Sequence, residues 1–220
     1  MEILRNTNNQ ETVSLLEFTI TQISPAVKNQ DRVNISVSGK YSFSLNITQL
    51  VDYKIKINQK ITKEKLEEYK HASTFGKLYQ RTLEWVLTRP RSIKETRDYL
   101  IRKRSLESED IQLIIDRLIA KKYLDDYTFA EHYVEFYATK KGASRKRLQL
   151  ELKKKGIRNE IIEEVLAKTK RSDEDEIKKI ILKKRARYDD EKLIQYLIRQ
   201  GFDFELVKET VREMDSQSLE

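Results

Sequence analysis

Positive charge is concentrated in one short part of the chain, between positions 140 and 158. This stretch, KKGASRKRLQLELKKKGIR, contains nine basic side chains and one acidic side chain, Glu151. Leu148 and Leu152 keep the four-residue spacing of a buried helix face, so the stretch is predicted to hold a helix. Lysine and arginine at this density suit three roles, which are contact with phosphates, docking on an acidic protein surface, or simple solvation.

Simple solvation is the role that helix electrostatics disfavours. Like charges four residues apart repel each other on a helix, and cations near a helix start oppose the helix dipole. Arg145, Lys146 and Arg147 fall at the predicted start of the helix. A sequence that keeps them there is expected to have an anionic partner, and phosphate contacts would need only charge and reach, without base reading.

Candidate catalytic groups are few. Asp125 and Asp126 form an acidic pair, but they precede a helical pattern, where carboxylates cap helices and complement the dipole. Capping is therefore favoured over a catalytic role such as that of a nuclease. The two histidines, His71 and His132, are far apart, and a zinc site would need further ligands nearby. We expect no enzymatic activity, no metal site and no cofactor.

Tyrosine is abundant, with 11 residues in the chain. Most of them fit helical core stripes with the hydroxyl at the edge of the core. Base stacking on nucleic acid is not favoured, because no paired aromatic platform is evident in the sequence.

The composition describes a polar, moderately basic chain. It has 220 residues, a net charge of +8, a pI near 9.4 and no cysteine. The excess of positive charge favours a polyanionic partner, and the lack of cysteine suits a reducing compartment. Neither a signal peptide nor an apolar run of membrane-spanning length is evident. We expect a cytoplasmic monomer that does not contact the membrane.

The first part of the chain is predicted to form a small antiparallel sheet of three or four strands. RVNISVSGKYSFSLN alternates apolar and polar residues on either side of Ser38-Gly39-Lys40, which is typical of a hairpin. LLEFTITQI before the hairpin and DYKIKIN after it are expected to add strands, with Pro25 and the polar KNQD as a separator. Thr62 is a candidate N-cap for the first long helix.

The rest of the chain has helical periodicity and an internal repeat. LELKKKGIRNEIIEEVL (150–166) aligns with QYLIRQGFDFELVKETV (195–211), and DYLIRKRSLESEDIQLII (98–115) is a looser copy. Gly156 and Gly201 stand where a left-handed residue would end a helix. Each copy is predicted to hold three short helices, so the fold class is mostly α, with tandem three-helix repeats in an elongated, curved array. Four residues are candidate caps of these helices: Ser92, Asp126, Ser144 and Asp203.

These patterns predict four parts of the chain. Residues 1–72 form a β-rich N-terminal domain, and residues 73–124, 125–170 and 171–220 form repeats one, two and three. Basic clusters occur in each repeat: Arg102-Lys103-Arg104 in the first, the 140–158 stretch in the second, and Lys183-Lys184-Arg185 with Arg187 in the third.

Three segments together resemble the RecX family of recombination regulators. They are RPRSIKETRDYLIRK (89–103), LIAKKYLDDYTFAEHYV (118–134) and RKRLQLELKKKGI (145–157). The strand-rich RVNISVSGKYSFSL is similar to the N-terminal extension of longer members. Two local departures are Ser144-Arg145, where the family often has Gly-Pro, and Lys103-Arg104, where it often has Lys-Gly.

The resemblance implies a regulator that binds in the groove of the RecA–DNA filament and modulates RecA ATPase, strand exchange and filament growth, within recombination, repair and the SOS response. It implies RecA as the partner, with single- or double-stranded DNA as a further contact. The alternative is a basic nucleic-acid-binding protein that acts without RecA. The expected contact residues are Arg102, Lys103, Arg145, Lys146, Arg147, Lys153, Lys154, Lys155 and Arg158.

Overall fold

The computed structural model describes residues 17–27, 29–103, 106–137, 142–169 and 172–216. Within them the chain forms four strands and ten helices. The strands are β1 (Phe18–Ala26), β2 (Asn29–Val37), β3 (Lys40–Asn46) and β4 (Lys60–Ile61). The helices are α1 (Ile47–Asp52), α2 (Lys63–Leu87), α3 (Ile93–Lys103), α4 (Ser108–Ala120), α5 (Asp126–Phe136), α6 (Arg145–Lys154), α7 (Asn159–Lys168), α8 (Asp173–Lys184), α9 (Asp190–Arg199) and α10 (Phe204–Ser216). The chain divides into two compact units between Arg81 and Thr82.

The first unit is built on an antiparallel sheet with the strand order β3-β2-β1-β4. The predicted hairpin is confirmed, because Ser38 and Gly39 both have positive φ, at 50° and 79°, and form the two-residue turn between β2 and β3. Ile35 and Phe43 lie opposite each other and are buried. They belong to a core that also includes Leu66 and Tyr69 of α2. This helix covers one face of the sheet, which would be only marginally stable by itself.

Three details of this unit differ from the sequence-based expectations. DYKIKIN forms turns rather than a strand, since Lys54 and Asn58 have positive φ, and the fourth strand is Lys60–Ile61. Pro25 lies within β1, and Asn29 already begins β2. Tyr41 is exposed because a register shift after Ile35 breaks the alternation of β3. The N-cap at Thr62 is confirmed, because its hydroxyl accepts the Lys65 N–H.

The second unit consists of successive groups of short helices, as the repeat predicts. Repeat two contains α5, α6 and α7, and repeat three contains α8, α9 and α10. Each of these repeats has its own apolar core, around Leu152 and Ile162 in repeat two and around Leu197 and Val207 in repeat three. In both, the first and third helices pack against each other. No helix in the described ranges is both long and apolar enough to cross a membrane.

Most predicted caps occur at the predicted residues. Ser92, Ser144 and Asp203 each accept backbone N–H bonds at the start of α3, α6 and α10. The exception is α5, where the cap is Asp125, which accepts the N–H groups of Tyr127 and Thr128. Asp126 caps a different helix, as described below.

Gly156 ends α6 with φ +82° and lies against the first turn of α3. A Cβ atom built at this position would lie 2.7 Å from Lys94 Cβ. Gly156→Ala is therefore expected to lower the free energy of unfolding by about 1 kcal/mol for the strained φ and by more for the contact with Lys94. Gly39 is the control, since its φ is +79° and no atom lies within 4 Å of its added Cβ. Chemical unfolding should show a larger loss for Gly156→Ala than for Gly39→Ala, and equal losses would contradict the close contact.

Candidate functional site

One exposed face of α6 carries three cations, two of which form no ion pair with a described residue. Leu148 and Leu152 are buried, and helical geometry places Lys146, Leu150 and Lys153 on the opposite face. Lys146 and Lys153 are exposed and have no hydrogen bond or ion pair with a described residue. Lys154 continues this face and pairs with Glu151 at 3.0 Å. We name this surface the α6 stripe, and it consists of Lys146, Leu150, Lys153 and Lys154.

The α6 stripe is only partly repeated on the equivalent helices of the other repeats. Aligned on their N-caps, α3 carries Lys94, Asp98, Ile101 and Arg102 at the stripe positions, and Lys94 pairs with Asp98 at 3.4 Å. The same positions of α9 carry Glu191, Gln195, Ile198 and Arg199. A cation at the position of Lys154 thus recurs in all three repeats, whereas the unpaired cations Lys146 and Lys153 are specific to repeat two.

Two of the arginines predicted as partner contacts bind helix ends within the chain. Arg145 Nη1 donates to the Leu166 carbonyl at 2.8 Å, near the end of α7. Arg147 Nη1 donates to the Arg199 carbonyl at 2.7 Å and to Gln200 Oε1 at 2.9 Å, at the end of α9. Helix C-termini carry partial negative charge, so they offset the cost of placing cations at the start of α6. At least part of the anionic partner inferred from the sequence is therefore intramolecular.

Lys155 is held between repeats one and two. Its Nζ donates to Glu95 Oε1 at 2.7 Å, and Arg89 contacts the second oxygen of the same carboxylate at 3.3 Å. The Lys155 carbonyl accepts the Ser92 hydroxyl at 2.8 Å. Ser92 also caps α3, so one buried serine joins the start of α3 to the end of α6.

The other expected contact residues are at helix ends. Arg102 and Lys103 lie exposed in the last turn of α3, where Arg102 Nε donates to the Asp98 carbonyl and Lys103 Nζ lies 4.8 Å from the centre of the Tyr99 ring. Arg158 is the exposed residue preceding α7. Lys140, Lys141 and Arg104 lie outside the described residues.

The first joint, between repeats one and two, and the second joint, between repeats two and three, each contain a carboxylate that caps a helix of the preceding repeat. Asp126, the first residue of α5, accepts the Ile93 N–H at 2.8 Å and so caps α3 of the preceding repeat. Asp173, the first residue of α8, accepts the Arg145 N–H at 2.8 Å and caps α6 in the same way. The carboxylates at helix starts are thus structural, and those of Asp125 and Asp126 serve as caps.

The carboxylate of Glu95 makes the first joint sensitive to acid. Burial alone would raise the pKa of Glu95, but the hydrogen bonds from Lys155 and Arg89 outweigh it and leave the pKa lowered. A lowered pKa stabilises the fold above the unfolded value of about 4.3, and this contribution is lost as the pH falls through the folded pKa. Asp126 has the opposite effect on the pH dependence of stability, because burial raises its pKa.

We expect Glu95→Gln to reduce the loss of stability between pH 6 and pH 3.5 by roughly 0.5–1 kcal/mol, because a lowered pKa costs at most about 1.4 kcal/mol per pH unit below the unfolded value of about 4.3. Urea unfolding of the variant and of the wild type at both pH values measures the difference. Glu163→Gln, an exposed change on α7, is the control and should retain the wild-type dependence. Identical dependence for Glu95→Gln and wild type would show that this joint does not titrate.

An aromatic cleft lies beside the first joint. It has a volume of about 620 Å³ and is lined by Arg89, Pro90, Glu95, Phe129, His132, Tyr133, Glu135, Phe136, Tyr137 and Lys155. Phe136 is 43% exposed, whereas Phe129 is buried. The ring centres of Tyr133 and Tyr137 are 4.9 Å apart and their hydroxyls lie 3.3 Å apart. Burial and this hydrogen bond raise the pKa of Tyr133, which keeps its hydroxyl neutral. We name this feature the aromatic cleft.

Sequence reasoning missed Leu150 and the aromatic cleft. Leu150 is 52% exposed between two cations, and its spacing of four and three residues from Lys146 and Lys153 was a usable signal. The cleft had a weaker signal, since the aromatic residues of α5 have the spacing of an ordinary core stripe. The structure alone shows that these aromatic residues line a cleft together with Arg89 and Pro90 of the preceding loop.

The third helix of repeat two carries negative charge on its exposed side. In helix-turn-helix proteins the second helix of the motif lies in the major groove of DNA, and α7 holds that position after α6. Its exposed residues include Glu160, Glu163 and Glu164. Carboxylates would repel the phosphates that flank a groove, so any contact of repeat two with a polyanion is expected through α6.

Comparison with known families gives two matches along the chain. Residues 18–62 match a family model described as the regulatory protein RecX N-terminal domain, and residues 125–166 match one described as the RecX second three-helix domain. The first match covers the sheet, and the second covers α5, α6 and α7.

Two similar proteins and one solved structure agree with these family matches. A protein named Regulatory protein RecX from Listeria monocytogenes is 33% identical over 210 residues, covering 90% of this chain and 76% of the relative. One of the same name from Bacillus subtilis is 30% identical over 209 residues, covering 91% and 79%. A crystal structure of regulatory protein RecX has a TM-score of 0.66 at 22% identity, covering 87% of this chain and 99% of that one, and it supports the fold.

Proposed function

Because the chain belongs to the RecX family of regulatory proteins, we propose that it binds the RecA–DNA filament and modulates RecA without catalysing a reaction itself. The observation that carries the proposal is the α6 stripe, whose exposed cations Lys146 and Lys153 form no ion pair with a described residue and have no unpaired basic counterpart on α3 or α9. A filament wrapped on DNA offers both phosphates and acidic side chains to such a surface.

The proposal divides the nine expected contact residues into three groups. Lys146, Lys153 and Lys154 are the principal contacts with the filament, and Arg158, Arg102 and Lys103 are secondary contacts at exposed helix ends. Arg145, Arg147 and Lys155 act indirectly by fixing the orientation of α6, because their side chains bind groups within the chain. Several weak contacts made by one chain can together give high affinity for a repeating polymer.

The structural roles of the acidic residues support a regulator that is not an enzyme. Asp125 and Asp126 accept backbone N–H bonds at helix starts, which explains the acidic pair without chemistry on a substrate. The partner is RecA on DNA, and the expected effect is on ATP hydrolysis, strand exchange and filament growth.

The test is the DNA-dependent ATPase of RecA, titrated with this protein up to an equimolar ratio. Inhibition at or below equimolar protein is expected, and an unchanged rate across the titration would reject the proposal. A parallel titration of DNA alone separates the alternative, a DNA-binding protein that acts without RecA. That alternative predicts an effect explained wholly by DNA binding, with log affinity falling by roughly 0.7–0.9 per neutralised phosphate for each log unit of salt.

A further inference from the structure

The aromatic cleft and the end of the α6 stripe adjoin each other. Lys155 lines the cleft, and Lys154 is the neighbouring residue on the stripe. Leu148 and Leu152 of α6 share one apolar core with Phe129, and Tyr133 and Tyr137 pack against that core, so α6 lies beside the aromatic residues of α5. A chain of phosphates bound along α6 would thus reach the mouth of the cleft.

The cleft has the features of a stacking site rather than of a phosphate site. Its rings come from one helix, with Phe136 partly exposed at the rim and Tyr133 and Tyr137 close together. The cations Arg89 and Lys155 share the carboxylate of Glu95, so the interior has little net charge. Proteins that bind single strands combine cations along the backbone with aromatic rings that stack on bases.

We infer that the aromatic cleft binds a nucleobase of single-stranded DNA whose phosphates lie along the α6 stripe. Duplex DNA does not fit this arrangement, because its bases are paired and stacked inside the helix. The inference rests on the proposed function only for the nature of the polyanion, and it adds a single-stranded base as the group recognised. Continuity with the stripe cations favours a polynucleotide over an apolar peptide side chain.

The test measures DNA binding by fluorescence anisotropy with the full chain and no RecA. The probes are an oligothymidylate of about 12 nucleotides, within the range that one single-strand module covers, an abasic strand of the same length, and a duplex. Wild-type protein is expected to bind the oligothymidylate about tenfold more tightly than the abasic strand, since one stacked base contributes about that factor. Equal affinity for the two strands, or no binding to either, would overturn the inference.

Variants of Phe136 identify the site. Phe136→Leu retains apolar volume but removes the aromatic face, and it is expected to abolish the preference for the oligothymidylate. Phe136→Trp retains a ring and should keep the preference. Leu182→Ala, at a residue of repeat three that is 71% exposed, is the control for loss of exposed apolar surface and should bind as wild type.

The outcomes also separate this inference from the proposed function. Base-dependent binding that depends on Phe136, together with an unchanged RecA ATPase, would support the cleft and reject the filament regulator. ATPase inhibition that requires Phe136 without any base preference would instead assign the cleft to a protein side chain and overturn the inference. A preference that survives Phe136→Leu would place base recognition elsewhere on the chain and would also overturn it.

Discussion

Reversing two charges of the α6 stripe, by Lys146→Glu and Lys153→Glu together, is expected to raise the concentration that half-inhibits RecA ATPase at least tenfold. Both side chains are exposed and form no ion pair with a described residue, so their charge is available to a partner. Each exposed charge contact contributes up to about 1 kcal/mol, and reversal adds repulsion to the loss. A total of about 1.4 kcal/mol corresponds to a factor of ten.

The control has to change the net charge equally at a distant place on the sequence. Lys54→Glu with Lys56→Glu does so in the first unit, where both lysines are exposed in turns after α1. This control should inhibit RecA ATPase as wild type does. If both double variants weaken inhibition equally, the effect arises from total charge. If neither does, the stripe is only a solvated face.

Adjacent residues of α6 are expected to differ in their effects on stability. Arg147→Met should lower the free energy of unfolding by about 1.5–3 kcal/mol, because it removes charged hydrogen bonds to Arg199 and Gln200 at the second joint. Lys146→Met should change it by less than about 0.5 kcal/mol, as is usual for an exposed surface residue. Methionine keeps the length of the side chain and a good helix propensity in both cases.

Urea unfolding gives the two stabilities, and the ATPase assay gives a second, independent comparison. At a temperature where both variants are folded, Arg147→Met should retain more inhibition than Lys146→Met combined with Lys153→Met. Equal stability of Arg147→Met and wild type would mean that the second joint does not depend on this side chain. A greater loss of inhibition in folded Arg147→Met would indicate that Arg147 contacts the partner directly.

Local sequence signals predicted the elements of this chain well where one residue controls the backbone. Gly156 and Gly201 end helices with positive φ, Ser144 caps α6, and Ser38-Gly39 forms the hairpin turn. The errors occurred where the backbone departs from a regular pattern. DYKIKIN alternates as a strand would, but positive φ at Lys54 and Asn58 folds it into turns.

The candidate site was predictable as a segment but not as a surface. The nine basic residues are visible in the sequence, and their helical spacing separates Lys146 and Lys153 from the buried leucines. Their partners are not visible, because the carbonyl of Arg199 lies 52 residues from Arg147 and the carboxylate of Glu95 lies 60 residues from Lys155. A carbonyl at a helix end gives no sequence signal as an acceptor for a distant arginine.

By itself, the sequence determined the kinds of elements, the helix ends, the repeat and the excess of positive charge, because these depend on neighbouring residues along one helix or strand. Only the tertiary structure decided which cations are satisfied within the chain and which remain exposed. It also decided that the rings of α5 border an open cleft rather than a closed core. The physical reason is that hydrogen bonding and burial depend on which helix ends meet in space, and the repeats bring together residues that are far apart in sequence.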